Sequence, residues 1–291
     1  DHLGHLVANR AIRQAAWQSL QAVGGVHLLC DTRLRQVHQH SGGVELLMNN
    51  GTRLETRLLI AADSRFSETR RMLGIGAQMK DFGKSMLVCR MNHEADHQQV
   101  AWEWFGYGQT LALLPLNGKQ SSVVVTLPPR EIEQLQQLDP QAFAREMESL
   151  FAHRLGNMEL VSERHVYPLV GAYARRLTTH RAALIGDAAV GMHPVTAHGF
   201  NFGLGSVQRL SRLLLEAHQL NRDIGSIALL ARYERQQRLA TWPLYQATNL
   251  LVECYTNDHL PMRLLRGAAL RAAQQLAPLK RGIARHLTAG N

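Results

Sequence analysis

Apolar residues in the first quarter of the chain change from helical spacing to short runs typical of strands. The helical spacing predicts a helix over Leu3–Val23, which ends at Gly24-Gly25. An Asn49-Asn50-Gly51 turn between two later apolar runs indicates a hairpin. A short helix is predicted behind a polar cap, from Ser64 to Leu73. The strands predicted in this region are Val26–Cys30, Arg33–His38, Val44–Met48, Thr52–Thr56 and Leu58–Ala62.

The middle of the chain is rich in predicted strands, separated by polar or Gly/Asn breaks as in an antiparallel sheet. These strands are Lys84–Met91, Val100–Phe105, Thr110–Leu116 and Ser121–Leu127. Two helices are predicted next, over Glu131–Leu138 and Gln141–Leu155. A strand region from Met158 to Arg176 and a buried strand at Ala182–Ile185 follow. From Asn201 onward the pattern is almost wholly helical.

This order predicts an α/β fold in which an antiparallel sheet is inserted into a doubly wound, nucleotide-type domain. Residues 1–75 and 177–220 form the parts of the nucleotide-type domain, and residues 76–176 form the inserted sheet domain. Residues 221–291 form a C-terminal helical region with a basic tail.

Composition narrows the class of protein. Hydrophobic residues make up 45% and charged residues 19%, which supports a buried core. The longest apolar runs, such as Leu111–Leu116, are far shorter than the ~20 residues of a membrane span. Three scattered cysteines without a CxxC pair argue against a disulfide framework or zinc ribbon and suit a reducing cytoplasm. A net charge of +9 suits an anionic partner, namely nucleic acid, phospholipid headgroups or an anionic cofactor.

Much of the basic charge lies at the C-terminal end. After Asp258 there is no acid, and basic residues alternate with apolar ones around a break at Pro278. Two interpretations remain: a terminal helix docked on its own domain, or an interfacial helix on anionic lipid. We expect no nucleic-acid partner, because no aromatic-interleaved RNA motif or recognition helix accompanies the charge. The basic residues are Arg263, Arg266, Arg271, Lys280, Arg281 and Arg285.

The segment His93-Glu94-Ala95-Asp96-His97 matches the HExxH pattern of zinc proteases. That chemistry requires a helix that brings both imidazoles to one face, together with a third ligand further along the chain. Here the segment lies between two predicted strands and no downstream ligand is evident. We therefore expect a solvated hairpin loop and no metal.

The strongest chemical signal follows the buried strand that ends at Ile185. It begins with Gly186-Asp187, continues through a loop with His193-Pro194, and reaches a helix start at Gly199-Phe200-Asn201. A carboxylate at the end of a strand can accept hydrogen bonds from sugar or polyol hydroxyls, and N–H groups at a helix start stabilise negative charge. From the residues alone, an ordinary strand–loop–helix connection is an equal alternative.

This run resembles the second flavin fingerprint of the aromatic-ring hydroxylases, and the whole chain is similar to the ubiquinone-biosynthesis hydroxylases of that group. The pairings Ala62–Ser67 and Thr196–Gly199 look most like the branch that hydroxylates C5 of demethoxyubiquinol. The other segments that carry the resemblance are Asp1–Arg10, Leu59–Asp63, Leu111–Leu116, Tyr167–Leu169 and Leu184–Ala189.

The resemblance implies FAD as cofactor, NAD(P)H or another electron donor, and O2. It implies a flavin monooxygenase that hydroxylates a prenylated phenol or quinol in ubiquinone biosynthesis, through a flavin C4a-hydroperoxide. Residues 1–75 and 177–220 are then the FAD-binding domain, and residues 76–176 the substrate domain. The implied partners are the membrane surface and other quinone-biosynthesis proteins, and the implied location is cytoplasmic or peripheral on the inner membrane.

The family's cofactor contacts carry over to residues of this sequence. The resemblance places Asp187, with Gly186, at the ribityl chain and Pro194 beside the isoalloxazine ring. It assigns no catalytic base, although His193 and His198 lie in the flavin loop. The remaining assignments are backbone N–H groups of Gly199, Phe200 and Asn201 at flavin N1 and O2, Arg10 at the FAD phosphates, and Asp63 near the pyrophosphate and the nicotinamide donor.

The sequence departs from the family pattern at several points. Val190 stands where many relatives carry His, Ala197-His198 stands where Gly-Gln is common, and Ser64 replaces a glycine. No GxGxxG follows a predicted strand, although in the family that fingerprint holds the ADP half of FAD. We therefore expect a fragment that lacks this N-terminal segment and is inactive alone.

Aromatic residues near one strand end predict a substrate face on the inserted sheet; they are Trp102, Trp104, Phe105 and Tyr107. A core role is the alternative for these aromatics. Two other functions also stay open: a truncated, non-catalytic scaffold or lipid-binding subunit of a quinone-biosynthesis complex, and a hydroxylase of a soluble aromatic.

Overall fold

The computed structural model describes residues 4–106, 108–194 and 199–256. Contacts divide the chain into two compact units. The first comprises Asp1–Val26, Gly83–Leu169 and Val252–Asn291, and the second comprises His27–Phe82 and Val170–Leu251. The unit boundaries at 83 and 169 lie inside the predicted inserted sheet domain of 76–176.

An antiparallel sheet is the centre of the first unit. Strand β8 (Gln120–Leu127) pairs with the long strand β5 (Ala77–His93), from Ser85 opposite Leu127 to Asn92 opposite Gln120. Next to β8 lies β7 (Gln109–Pro115), followed by β6 (Trp102–Gly106), while β9 (Met158–Leu160) pairs with the end of β5.

Two helices complete the core of this unit. They are α3 (Pro129–Gln137) and α4 (Pro140–Leu150), and Asp139 caps α4 by accepting from the N–H groups of Gln141 and Ala142. Buried side chains of the helices and of the sheet form one cluster, because alternate strand residues share a face. The cluster includes Leu87, Leu113, Val123, Val125, Ile132, Phe143 and Met147.

Helix α1 (Asn9–Ala22) also belongs to the first unit and has no buried residue. Residues 4–8 are not helical, so the predicted start at Leu3 was too early. Predicted helix Gln141–Leu155 ends earlier, at Leu150, because Ala152 and His153 take positive φ angles of 52° and 51°.

The second unit contains two small sheets. Its hairpin sheet has the order β1 (Leu34–Gln39), β2 (Val44–Met48) and β3 (Arg53–Thr56) and includes the predicted Asn-Gly turn. In the other sheet, β4 (Leu59–Ala61) pairs in parallel with β12 (Ala182–Leu184), and β11 (Thr178–Thr179) lies on the far side of β12. The predicted strand Val26–Cys30 is wrong: Val26–Leu29 form no strand, and Val26, Leu28 and Leu29 are about half exposed.

Helices cover the parallel pair. After β4 comes α2 (Glu68–Met72), and after β12 come α5 (Gly186–Ala189) and β13 (Val190–Gly191), which pairs with β10 (His165–Ala174). Two long helices follow, α6 (Gly199–Gln219) and α7 (Ile227–Thr256). The core of this unit contains Leu184, Leu210, Leu213, Tyr233 and Tyr245.

The mixture of helices, antiparallel sheet and helical C-terminal region confirms the predicted fold class. Cys30 and Cys89 are free thiols. No helix in the described parts of the chain is both long and apolar enough to cross a membrane. The basic tail after Asp258 lies outside the described residues.

Candidate functional site

The candidate site lies in the second unit, at the carboxyl ends of two neighbouring parallel strands. Ala61 of β4 is opposite Leu184 of β12. Asp63 follows the first strand by two residues, and Gly186-Asp187 follow the second by two and three. Ligands of open α/β sheets bind at this edge, so the strand pairing itself brings the two predicted acids to the same place.

Asp63 holds the start of helix α2. It accepts a hydrogen bond from the Ser67 hydroxyl and another, of 2.9 Å, from the N–H of Thr69. Ser67 in turn caps the helix by accepting from the N–H of Arg70. Burial raises the pKa of Asp63, but the hydrogen bonds from Ser67 and Thr69 outweigh it and leave the pKa below its ordinary value. The carboxylate is therefore ionised and already engaged.

An ion pair joins the two strand ends. Arg65 Nη2 lies 2.9 Å from Asp187 Oδ2, and Arg65 Nη1 donates to the Val170 carbonyl at 3.0 Å. Both side chains of the pair are about one third exposed. The guanidinium fixes the position of the Asp187 carboxylate while leaving it open to solvent.

Arg70 joins the same two loops through hydrogen bonds to their backbone carbonyls. Only 4% of its surface is exposed. Its Nη1 donates to the Ala188 carbonyl at 2.9 Å, and its Nη2 donates to the Arg65 carbonyl at 3.0 Å. Because a buried guanidinium is strongly stabilised by such bonds, the turn of α5 is held against the loop after β4.

Gly186 connects β12 to helix α6. Its N–H donates to the Ser206 hydroxyl at 3.1 Å, and that hydroxyl donates to the Gly203 carbonyl at 2.6 Å. Its φ of +56° is a left-handed conformation that glycine adopts without strain. Asp187 thus follows a turn that is anchored on α6.

The start of α6 is as predicted, with Gly199, Phe200 and Asn201 in its first turn. That turn carries no acidic residue, and the side chain of Phe200 is 54% exposed. Apart from the backbone of its own helix and its chain neighbours, no atom of the described residues lies within 4 Å of the position that a Cβ on Gly199 would take. The N–H groups of a first helical turn lack partners within the helix, so this end favours negative charge.

The described part of the loop between α5 and α6, residues 190–194, is mostly buried. Val190 and Met192 are 2% and 4% exposed, and His193 is 8% exposed with its ring 4.7 Å from that of Phe82. Pro194, by contrast, is exposed. Val190 is a core residue, so an apolar side chain suits this position. His198 lies outside the described residues, and of the segment Thr196–Gly199 only Gly199 is described.

Two groups of predicted residues lie elsewhere. Arg10 is exposed in the first turn of α1, in the first unit. Trp102 and Trp104 share one face of β6, as the alternation predicts, and pack against the core cluster of that unit. The Arg154 guanidinium lies 5.6 Å and 5.5 Å from their two ring centroids. Both rings therefore have a core role, and Tyr107 lies outside the described residues.

The HExxH segment forms a loop whose histidines are buried. His93 contacts the Ala95 carbonyl at 2.7 Å and the Ser121 hydroxyl at 3.0 Å. The ring of His97 is bonded to the Leu116 carbonyl through Nε2 and to the N–H of Gln99 through Nδ1. The expected solvated loop is therefore wrong for these side chains, which are 6% and 1% exposed. Within the described residues no group of three or more possible ligands could hold a metal ion.

Sequence reasoning missed three residues that build the site. Arg65, Arg70 and Ser206 supply the ion pair, the buried clamp and the anchor of Gly186. Ser67 indicated the start of a helix, but no local pattern indicated that the Arg70 side chain is buried. Nothing local indicated the pairing of Arg65 with Asp187, because the two are far apart in the sequence.

Comparisons with known proteins place this chain among relatives of one kind. Ubiquinone hydroxylase UbiM of Neisseria meningitidis is 46% identical over 288 residues, which are 99% of this chain and 62% of the relative. Ubiquinone hydroxylase UbiL of Rhodospirillum rubrum is 35% identical over 98% of this chain and 66% of its own length. The chain thus spans about two thirds or less of these relatives.

Among solved structures, p-nitrophenol 4-monooxygenase PnpA from Pseudomonas putida has the same fold, with a TM-score of 0.78 at 15% identity. The match covers 98% of this chain and 73% of that one. The profile of the FAD binding domain family matches residues 7–248. Since this match spans most of the 291 residues, the chain belongs to the FAD binding domain family.

Proposed function

We propose that this chain supplies the ribityl and ring end of an FAD site in a monooxygenase that hydroxylates the aromatic ring of a prenylated phenol or quinol. The observation that carries the proposal is the position of Asp187, held by Arg65 at the carboxyl end of β12 beside the start of α6. The names of the two ubiquinone hydroxylases support the reaction class and the substrate class.

The residues present fit the ribityl and ring end of FAD. The Asp187 carboxylate is about one third exposed, and its ion pair with Arg65 uses Oδ2. A carboxylate oriented in this way can accept hydrogen bonds from polyol hydroxyls. The first turn of α6 carries no acidic residue, so its N–H groups can stabilise the negative edge of a flavin ring. The ADP end has no comparable element, because no GxGxxG follows a strand in the 291 residues.

Bound FAD supplies the activation of O2, and the protein supplies position and electrostatics. In this proposal Asp187 binds the ribityl hydroxyls, Gly186 shapes the turn, and Pro194 lies beside the ring. The first-turn N–H groups of Gly199, Phe200 and Asn201 stabilise negative charge at flavin N1 and O2.

Two further cofactor contacts are proposed on the resemblance. Arg10 binds the FAD phosphates, and its exposed place in the first turn of α1 leaves its guanidinium accessible. Asp63 lies near the cofactor pyrophosphate and the donor, NAD(P)H or another reductant. Since Asp63 already accepts from Ser67 and Thr69, its effect on the cofactor is exerted through the shape of the loop before α2.

The substrate and partners follow from the same resemblance. We place the substrate face on the side of β6 that carries Phe105, which is 39% exposed, since the tryptophans pack into the core. A polyprenyl substrate resides in the bilayer, so a cytoplasmic protein peripheral on the inner membrane is the proposed location. The basic tail and other quinone-biosynthesis proteins are the proposed contacts there.

The cofactor part of the proposal is tested in a full-length version of the protein, with the native sequence that adjoins this chain, by titrating FAD and following flavin fluorescence. Asp187→Ala should weaken FAD binding about tenfold or more, because a hydrogen bond to a charged group contributes roughly 1.5–3 kcal/mol. Asp223→Ala is the matched control, since Asp223 also pairs with an arginine, Arg181, at 2.7 Å. Equal FAD affinity of the Asp187 variant and the unchanged chain would contradict the assignment.

The reaction is tested in a bacterium that lacks its quinone ring hydroxylases. The coding sequence, with whatever native sequence adjoins it, should restore an additional ring oxygen in the extracted quinone lipid, measured by mass spectrometry. A non-catalytic scaffold would leave the lipid unhydroxylated. A hydroxylase of soluble aromatics would do the same while still consuming the electron donor with such a substrate.

A further inference from the structure

A groove of about 560 Å³ lies between the two long helices of the second unit, away from the candidate flavin site. Its lining residues recur every three or four positions on each helix, as expected when two helical faces oppose each other. They are Gln208, Arg209 and Arg212 of α6, and Gln236, Leu239 and Ala240 of α7. The volume is within the range of small-molecule sites.

Both arginines of the groove donate hydrogen bonds to glutamine side chains, which are neutral. Arg209 Nη1 donates to Gln237 Oε1 at 2.9 Å, and Gln237 is 1% exposed. Arg212 Nη2 donates to Gln236 Oε1 at 3.4 Å. An amide oxygen orients a guanidinium without neutralising it, so two positive charges face the same groove.

Two other arginines, both on α7, are neutralised by glutamates. Arg232 lies 3.3 Å from Glu216, and Arg238 lies 2.8 Å from Glu234. In the described part of the chain no ion pair is formed by Arg209 or Arg212. At the groove, glutamine therefore lies opposite Arg209 and Arg212, whereas glutamate lies opposite Arg232 and Arg238.

Gly205 makes room for the first of these arginines. A Cβ at this position would lie 2.6 Å from Arg209 Nη1. A glycine within a helix costs roughly 0.5–1 kcal/mol relative to alanine. Here it lets the Arg209 side chain lie along α6 and reach the buried Gln237.

We propose that this groove binds the phosphate group of a small molecule through Arg209 and Arg212. Two oriented guanidinium groups without a carboxylate match the geometry and charge of phosphate oxygens. The groove is separate from the proposed flavin site, because Arg209 lies ten residues, or roughly 15 Å of helix, beyond Gly199. It does not depend on the proposed function.

The test is calorimetric titration of inorganic pyrophosphate into the chain without flavin. Arg209→Gln and Arg212→Gln should each weaken binding about tenfold. Arg232→Gln is the matched control: it also removes one positive charge from the helix pair, but from an arginine that Glu216 already neutralises, and it should change the affinity less than twofold. Equal weakening by all three variants, or none by the groove variants, would overturn the proposal, since binding would then be diffuse or at the α6 start.

Gly205→Ala tests the geometry while the charge stays constant. The added methyl group displaces only the end of a flexible side chain, so the helix tolerates it, but Arg209 loses its position. We expect pyrophosphate binding to weaken several-fold while circular dichroism shows that the helices remain folded. A variant with unaltered affinity would show that the placement of Arg209 is irrelevant, and the inferred site would be wrong.

The source of the phosphate is distinguished with vesicles of phosphatidylglycerol. If the groove takes a lipid headgroup, the two arginine variants should lose vesicle binding as well as pyrophosphate binding. If it takes a soluble phosphate compound, vesicle binding should be retained. Both results support a phosphate site, provided that the variants bind pyrophosphate more weakly.

Discussion

Ser64 occupies a backbone position that suits glycine. Its φ is +80°, a region that L-residues enter at a cost of the order of 1 kcal/mol or more. The strained residue directly precedes Arg65, whose side chain reaches Asp187. The departure from the family's glycine therefore lies at the residue that directs the ion pair across the site.

We predict that Ser64→Gly stabilises the chain by about 0.5–1 kcal/mol, because relief of strain exceeds the added freedom of the unfolded chain. Denaturation in urea measures this change. The neighbouring Ala62, which has no positive φ, provides the control. Ala62→Gly should be neutral or destabilising, and a stabilisation of similar size in both variants would contradict the strain argument.

At the scale of elements, the sequence predicted those with strong local signals. β2 has the predicted bounds, and the hairpin turn, the sheet strands and the start of α6 lie where expected. The strand predicted at Val26–Cys30 was wrong, because an apolar run becomes a strand only when a partner strand is available. The Arg65–Asp187 ion pair could not be predicted from the sequence. It depends on the parallel register of β4 and β12, which no local pattern specifies.

The loop after β5 is held by its two buried histidines. We predict that His93→Ala and His97→Ala each destabilise the chain by about 1–3 kcal/mol, because they leave buried partners unsatisfied. Zinc content, measured by atomic absorption, should not change. Asp96→Ala is the control, since its side chain is 71% exposed and should matter little. Stoichiometric zinc that disappears with the histidines would reverse this interpretation.

Glu234 joins α7 to β11. Its Oε2 accepts from the N–H and hydroxyl of Thr178 at 3.1 Å and 2.8 Å, and its Oε1 pairs with Arg238. Burial raises the pKa of Glu234, but the hydrogen bonds from Arg238 and Thr178 outweigh it, so the pKa lies below its ordinary value of 4.5. Its stabilising contribution is present above pH 4.5 and is lost as the pH falls through the lowered pKa.

We predict that Glu234→Gln lowers the free energy of unfolding by about 1–2 kcal/mol at pH 7. The difference from the unchanged chain should shrink as the pH falls below 4.5, which urea titrations at several pH values would show. Glu216→Gln is the control, because its ion pair with Arg232 is about half exposed and contributes little. A pH-independent difference for Glu234→Gln would argue against the ionic contribution.

At the scale of the molecule, the elements that we propose for the ribityl chain and the ring belong to one unit. The parallel pair, the α5 turn and the α6 start all belong to residues 27–82 and 170–251. In the proposed function these elements contact the ribityl chain and the ring, while no glycine-rich strand–helix turn for the phosphates is found in the 291-residue sequence.

We therefore predict that the 291-residue chain is purified colourless or nearly so, because each missing 1.4 kcal/mol of binding weakens FAD affinity about tenfold. Absorbance near the flavin bands after gel filtration measures this. Added as a separate polypeptide, a GxGxxG-containing segment of a related hydroxylase should increase the retained flavin. A yellow chain with one equivalent of FAD would show that the described contacts suffice.

The second unit consists of two chain segments that are far apart in the sequence, so the ribosome completes one long before the other. Ribosomes add roughly 5–20 residues per second. Strand β4 emerges early, but its partner β12 is synthesised only after the whole of β5–β9. For about ten seconds during synthesis, the edge of β4 therefore lacks its partner strand β12. Nascent chains of this kind are the ones for which a holding chaperone matters most, and synonymous codon changes that slow translation between residues 83 and 169 should lower the soluble yield.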